Sequence, residues 1–263
     1  MPTRPRRSVH FLLLGVLVLA LGVGSAGLAA AQDATPAEDT VAEGAAVFPP
    51  DAEVAGAALG EWGARWWQRM ASFPVEVHPF LDERGERCGA AQAGPVFFLQ
   101  APPQLLSGDA ITCVVPENTP IFVPVIGATC STVEPPPFFG RDEAELRACV
   151  EAAIDAVNTI SVSVDGREVP NPEQYRATSP LVPLVFAEEN IFEVPAGVAL
   201  AVTAGYQLIL EPLPVGEHEI QVYAEIAGEV HTDLTFRVVV VEPTVIEPAA
   251  TPGAATPVAT PEA

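Results

Sequence analysis

Five residues of this chain carry side chains whose chemistry suits a binding site: Arg65, Trp66, Asp82, Tyr175 and Arg176. The guanidinium of Arg176 can bind a carboxylate through two parallel hydrogen bonds. A buried Arg65 would need an acidic partner, for which Asp82 is a candidate. We therefore expect these residues either to converge in a ligand pocket or to form internal ion pairs that organise loops over the core.

Four cysteines offer a second kind of chemistry. They permit three pairings, and the simplest joins Cys88 to Cys113 and Cys130 to Cys149. Each bridge would stabilise the fold by about 3 kcal/mol. A thiolate metal site needs closer pairs such as Cys-x-x-Cys, and the sequence has none. We predict two disulfides, no metal and no cofactor.

The motifs of known enzymes are incomplete in this chain. His218-Glu219 begins a zinc-protease motif, but position 222 is Val. No Ser lies in a Gly-x-Ser-x-Gly turn, and Asp82-Glu83-Arg84-Gly85-Glu86 is a charged turn rather than an EF-hand. We assign no catalytic residue. A glycan hydrolase needs only two facing carboxylates, and 34 acidic residues supply many pairs without identifying one.

Tryptophan and histidine side chains leave two alternatives open. Trp62, Trp66 and Trp67 could stack on sugar rings, but adjacent residues point about 100° apart on a helix, which favours core packing. His218 and His231 could share a site if a hairpin brought them to one end. Their strand faces differ, so we expect them to stay apart.

Two amphipathic helices are predicted to position these residues. The first covers residues 60–72 and aligns Trp62, Trp66 and Met70 on one face. The second begins at Asp142, which forms an Asp-x-x-Glu variant of the capping box with Glu145, and runs to about residue 157. Its predicted buried stripe consists of Leu146, Cys149, Val150, Ala153 and Val157.

The other ordered segments alternate as strands. Residues 160–164 alternate and end at Asp165-Gly166, a hairpin signal. Segments 218–226 and 234–240 are predicted to form a long terminal hairpin through Ala227-Gly228. Further strands are predicted at 96–99, 111–115, 121–126, 181–186, 198–203 and 206–210. This pattern predicts a mainly β fold, an antiparallel β-sandwich of immunoglobulin-like or jelly-roll type with two peripheral helices.

The N-terminus has the order of a secretory signal peptide. Arg4, Arg6 and Arg7 precede an apolar run at 11–24 and then the small residues Ala29-x-Ala31. We predict a signal peptide over residues 1–31, removed on export, and a secreted or surface-exposed protein without stable membrane insertion. Retention as an uncleaved anchor is the alternative, since about 20 apolar residues can span a bilayer.

Two segments of the exported chain differ from the rest in composition. Residues 32–50 and 242–263 consist mostly of Ala, Thr, Pro and acidic residues, with repeated Thr-Pro pairs. Such segments bury too little apolar surface to offset their chain entropy, so we predict a disordered linker and a disordered tail. They would serve as spacers or as O-glycosylated stalks. A single domain is predicted between them, over residues 51–241.

The charge of the chain limits its partners. The formal net charge is −22 at pH 7, and all twelve basic residues are Arg. A surface this negative repels nucleic acid and anionic lipid. The acidity would keep an exported domain soluble, or alternatively would attract cations such as Ca²⁺.

Several motifs in a fixed order resemble an uncharacterised family of exported bacterial proteins. The motifs include Trp62-x-x-Arg65-Trp66-Trp67, Asp82-x-x-Gly85-x-x-Cys88, Gly94-Pro95-Val96-Phe97-Phe98-Leu99, Cys113-x-Val115-Pro116 and Tyr175-Arg176-x-x-Ser179-Pro180. The resemblance covers residues 60–240, implies no activity and favours pairing Cys88 with Cys113. Separately, Pro214-x-Gly216-x-His218-x-Ile220 is similar to the last hairpin of bacterial immunoglobulin-like modules, which concerns fold alone.

These observations predict a secreted or surface-exposed binding module without catalysis, whose partner would be a polysaccharide or another component of the cell envelope. One alternative is an extracytoplasmic glycan hydrolase that uses paired carboxylates. The other is a structural envelope protein without a small ligand. A cleft with two facing carboxylates would favour the hydrolase.

Overall fold

A computed structural model describes residues 46–103 and 110–243. The predicted signal peptide and most of the predicted linker and tail lie outside the described residues. Within them are two α-helices, α1 (Leu59–Ser72) and α2 (Glu143–Asp155). The ten described strands are β1 (Phe97–Phe98), β2 (Ile111–Pro116), β3 (Ile121–Ser131), β4 (Val157–Val164), β5 (Arg167–Glu168), β6 (Arg176–Thr178), β7 (Val182–Phe186), β8 (Gly197–Leu210), β9 (Gly216–Ile226) and β10 (Glu229–Val241).

The described strands form two mixed five-stranded sheets that pack together, so the prediction of a mainly β fold is confirmed. In the first sheet the order is β1-β3-β8, and both β6 and β7 pair with the other edge of β8. The second sheet has the order β2-β10-β9-β4-β5. Buried side chains from both sheets and from α1 form one apolar cluster, and a second, smaller cluster lies between α2 and the first sheet.

The prediction of purely antiparallel sheets is wrong. Strand β1 runs parallel to β3, and β2 runs parallel to β10. The alternation of side chains identifies the two faces of a strand but carries no information about its direction. Both parallel strands lie at a sheet edge, where no tight turn joins them to their neighbour.

Both predicted hairpins form. Ala227 and Gly228 take positive φ angles of 51° and 83° between β9 and β10, and Asp165 and Gly166 take 52° and 73° between β4 and β5. Turns of this kind match the twist of the strands that they join. The two strands predicted at 198–203 and 206–210 are instead one strand, β8, because Ala204 and Gly205 continue its pairing with β3.

The second helix begins where the capping pattern predicts. The Asp142 carboxylate accepts a hydrogen bond from the backbone N–H of Glu145 at 3.0 Å. The Glu145 side chain does not complete the capping box, because it accepts hydrogen bonds from Arg141 instead. The helix ends at Asp155, so Val157 belongs to β4 and Ile154 replaces it in the buried stripe.

Helix α1 is part of the core rather than peripheral. It packs closely on the first sheet, because a Cβ atom on Gly60 would lie 2.4 Å from the carbonyl oxygen of Thr178. The Gln207 side chain of β8 donates a hydrogen bond to the α1 backbone at Leu59. Helix α2 packs on Val202 and Ala204 of β8. Since side chains alternate along a strand, the two helices cover opposite faces of the first sheet.

Two disulfides form with the sequential pairing. Cys88 bonds to Cys113 on β2, and Cys130 of β3 bonds to Cys149 of α2. Both bridges indicate an oxidising, extracytoplasmic setting. Among the described residues, neither helix has the length and apolar character needed to cross a membrane.

The described part of the chain begins inside the segment assigned to the linker. The backbone N–H of Phe48 donates to the carbonyl oxygen of Ile209 at 2.9 Å, and that of Glu211 donates to Ala46 at 2.9 Å. Residues 46–48 therefore add a short pairing to the end of β8.

Candidate functional site

The five residues singled out from the sequence take part in separate local contacts. The Arg65 guanidinium is exposed and lies 4.2 Å from the ring centre of Trp62, so it stacks on an aromatic face rather than pairing with Asp82. The Asp82 carboxylate instead accepts the backbone N–H of Arg87 at 2.6 Å and holds its own turn. Tyr175 is buried in the core.

Arg176 binds two carboxylates, but both belong to this chain. Its guanidinium forms ion pairs with Glu151 and, at 2.7 Å, with Asp155, both on α2. The guanidinium group that could have bound a ligand carboxylate instead connects β6 to α2. This arrangement matches the internal ion-pair alternative for Arg176.

The three tryptophans pack in the core and do not form an exposed stacking platform. Trp62, Trp66 and Trp67 are only 2%, 6% and 9% exposed. The indole N–H of Trp62 donates to the carbonyl of Val54 at 2.8 Å, and that of Trp66 donates to Leu99 at 3.0 Å. Trp67 differs, because its indole N–H has no acceptor among the described residues.

The three histidines of the described residues occupy separate places. His78 is fully buried, with Nε2 3.1 Å from the carbonyl oxygen of Met70 and Nδ1 accepting the backbone N–H of Phe80 at 3.0 Å. Burial lowers the pKa of His78, so the ring is held neutral. His218 contacts Asp165 at the start of β9, whereas His231 lies at the other end of the hairpin. The two therefore do not share a site.

Two cavities that share lining residues form a groove among the described residues. The inner cavity has a volume of about 250 Å³, and the α2 cavity, bordered by α2, has a volume of about 800 Å³. Ligand sites in proteins have volumes of this order. Five residues line both cavities and form the junction of the groove: Trp67, Ile126, Gly127, Ile226 and His231.

Two β-bulges shape the groove. The pairing of β3 with β8 shifts between Pro124 and Ile126, and the pairing of β10 with β9 shifts between Val230 and Thr232. Each bulge leaves one extra residue, Val125 or His231, and both residues line the inner cavity. Bulges of this kind turn side chains out of the regular alternation and are frequent beside binding sites.

The walls of the groove are mostly apolar. In the inner cavity Trp66, Phe80 and Phe236 contribute aromatic surface. In the α2 cavity the loop after β3 contributes Pro135, Pro137 and Phe138, and α2 contributes small side chains. The groove can therefore bind an apolar ligand, because the burial of apolar surface contributes most of the favourable free energy of such binding.

Two buried polar atoms beside the α2 cavity lack hydrogen-bond partners. They are Thr129 Oγ1 and Glu134 Oε2, the two unpaired side-chain atoms of the described residues that are fully shielded from solvent. Both residues line the α2 cavity. Thr129 is 4% and Glu134 is 7% exposed. Unpaired buried polar atoms destabilise a fold, so native structures contain few of them.

Glu134 also has an unusual protonation equilibrium. Burial raises the pKa of its carboxyl to about 7, although a hydrogen bond with Ser131 acts in the opposite direction. Near neutral pH this carboxyl is therefore present in both forms, and the protonated form can donate as well as accept a hydrogen bond.

The outer face of the second sheet carries a different, polar depression of about 320 Å³. Its side chains include Ser163, Gln221, Tyr223 and the two acids Glu168 and Asp233. Among the described residues, no three His, Cys, Asp or Glu side chains are placed to hold a metal ion. Glu168 and Asp233 both border this depression.

The sequence does not indicate the groove as a site. It assigns Trp67 to the core and Cys149 and Ala153 to the buried stripe of α2, and it does not single out Gly127 or Glu134. One signal was available, because the loop after β3 combines three prolines with Phe138 and Phe139, both exposed. The bulges at Val125 and His231 had no signal, because they break the alternation on which strand prediction rests.

No protein-family model, curated protein or solved structure matches this chain. The two resemblances drawn from its motifs therefore stay predictions, and the function has to be argued from the groove.

Proposed function

We propose that this protein is an extracytoplasmic binding module that holds a small apolar or amphipathic molecule in the groove without chemical conversion. The observation that carries the proposal is that the two cavities of the groove share five lining residues, among them Trp67 and Gly127. One elongated ligand can therefore occupy both cavities. The disulfides and the predicted signal peptide support a secreted or surface-exposed location for the module.

The chemistry of the walls supports an apolar ligand over a glycan. Sugar sites present exposed aromatic faces together with many polar groups, whereas Trp62 and Trp66 are buried and use their N–H groups internally. Paired-carboxylate hydrolysis is also less well supported in the groove, because Glu134 supplies the one carboxylate among its described lining residues.

The fold supports a rigid, preformed binding site. The β9–β10 hairpin lies at the centre of the second sheet. The Cys130–Cys149 bridge fixes α2 against β3 and so fixes the width of the α2 cavity. A preformed site loses less entropy when it binds a ligand.

Binding can be tested with the neutral fluorescent probe N-phenylnaphthylamine, titrated into the exported protein. We expect saturable binding at a single site. Gly127→Leu should reduce the affinity at least about tenfold, because a Cβ atom there already lies 3.4 Å from Trp67 Nε1 and a longer side chain would fill the junction.

The matched control is Gly89→Leu, which adds the same side chain where no heavy atom lies within 4 Å of the Cβ position. This variant should bind the probe like the wild type. Non-saturable binding by the wild type, or equal affinity in both variants, would contradict the proposal.

A further inference from the structure

We infer that the α2 cavity receives a hydrogen-bond-donating head group, so that the ligand is a neutral amphiphile with a terminal hydroxyl. This inference rests on the proposed function, because it assumes that the groove binds an amphipathic molecule. It adds the polarity and the orientation of that molecule. The head group lies beside Thr129 and Glu134, and the apolar tail extends past Trp67 into the inner cavity.

Two unpaired oxygens give the main support for a hydroxyl head group. Thr129 Oγ1 and Glu134 Oε2 are both buried without a partner, and both residues line the same cavity. A ligand hydroxyl can donate a hydrogen bond to the carboxyl and accept one from the threonine. Both oxygens are shielded from solvent. Rotation of Thr129 about χ1 and of Glu134 about its terminal torsion would turn them towards the head group.

The distribution of polarity orients the ligand. The inner cavity is lined by aromatic and aliphatic side chains such as Phe80, Leu234 and Phe236. The unpaired oxygens lie beside the other cavity, and the free indole N–H of Trp67 lies at the junction between the two. An apolar tail therefore buries its surface against these side chains, whereas the head group pairs with the two unpaired oxygens beside the α2 cavity.

Charge excludes an acidic head group. Any ionised fraction of Glu134 repels a carboxylate, and the chain carries a formal net charge of −22. No Lys or Arg lies among the described residues that line the groove. A fatty acid would thus place its charge in a site without a positive partner, which is unfavourable when the site is desolvated.

The test compares ligands that share one alkyl chain. Decanol, decyl methyl ether and decanoate are used to displace N-phenylnaphthylamine from the full exported chain at pH 7. We expect decanol to bind at least about tenfold more tightly than the ether, which cannot donate a hydrogen bond. Decanoate should bind more weakly than either.

The matched variant is the double substitution Thr129→Val and Glu134→Met. It removes both unpaired oxygens and keeps the approximate shape of the cavity, so the fold should be preserved. We expect decanol to lose its preference over the ether and the two to bind with similar affinity, because no unpaired oxygen is left to accept the hydroxyl proton of decanol.

The outcomes separate the two proposals. If no probe or competitor binds, the proposed function itself is wrong. If the wild type binds decanol and the ether equally, or prefers decanoate, the groove is a binding site but the head-group inference is overturned. A preference for decanol that persists in the double variant also overturns it, because the selectivity would then come from other atoms.

Discussion

The role of a single residue in this protein depends more on its surroundings than on its type. Arg65 and Arg176 have the chemistry of ligand-binding residues, yet one stacks on Trp62 and the other pairs with Glu151 and Asp155. Glu134 has no motif around it, but burial gives it an unpaired oxygen and a raised pKa. Burial and pairing are properties of the folded chain, so residue type alone could not rank these candidates.

The raised pKa of Glu134 predicts how stability depends on pH. In the folded protein this pKa is about 7, against an ordinary value of 4.5. Between these values the unfolded chain binds fewer protons than the folded one, so the free energy of unfolding contributed by Glu134 falls as pH rises through this window. The loss should be about 1–3 kcal/mol and should be absent in Glu134→Gln.

Urea denaturation at pH 5 and pH 8 measures this difference. Glu173→Gln, at an exposed acid, is the control and should retain the wild-type dependence on pH. A Glu134→Gln variant with an unchanged pH dependence would show that Glu134 is already ionised in the folded protein.

At the scale of secondary-structure elements, close packing limits which substitutions the fold tolerates. Gly60 lies in the first turn of α1, where helix propensity alone favours Ala by about 1 kcal/mol. A Cβ atom there would lie 2.4 Å from the carbonyl oxygen of Thr178 on β6, and this backbone atom cannot move away as a flexible side chain could. We therefore expect Gly60→Ala to destabilise the protein by about 1–3 kcal/mol.

The comparison variant for this prediction is Gly89→Ala, where the new methyl group meets no heavy atom within 4 Å. Its stability should be unchanged or slightly higher, because Ala restricts the unfolded chain. Both are measured by thermal denaturation. A neutral or stabilising Gly60→Ala would mean that α1 can move away from the sheet.

For the whole molecule, the two disulfides allow a matched test of the groove. They join residues separated by 25 and 19 positions, so the chain-entropy model assigns each about 3 kcal/mol. Only the Cys130–Cys149 bridge connects α2 to β3, and Cys149 lines the α2 cavity. Replacing either pair with Ala should lower stability similarly, whereas probe affinity should fall only without Cys130–Cys149.

Denaturation and probe titration on the two double variants measure both effects. Equal probe affinities at a temperature where both variants are folded would show that α2 keeps its position without the bridge. The proposed role of this disulfide in holding the α2 cavity would then be wrong.

Local and covalent features were accessible from the sequence. Alternation identified most strands, Asp165-Gly166 and Ala227-Gly228 identified both hairpins, and apolar periodicity identified both helices. The simplest cysteine pairing also forms. Each of these signals comes from neighbouring residues or from a small set of covalent possibilities, so no knowledge of the packing was needed.

Only the tertiary structure decided the strand directions and the groove. Trp67, Gly127, Glu134 and His231 come from a helix, two strands and a loop, and they meet because two sheets and two helices pack around them. Two bulges then turn side chains out of the alternation that a sequence displays. A concave surface depends on contacts between distant segments, and the periodicity of each segment specifies its buried face but not the partner that covers it.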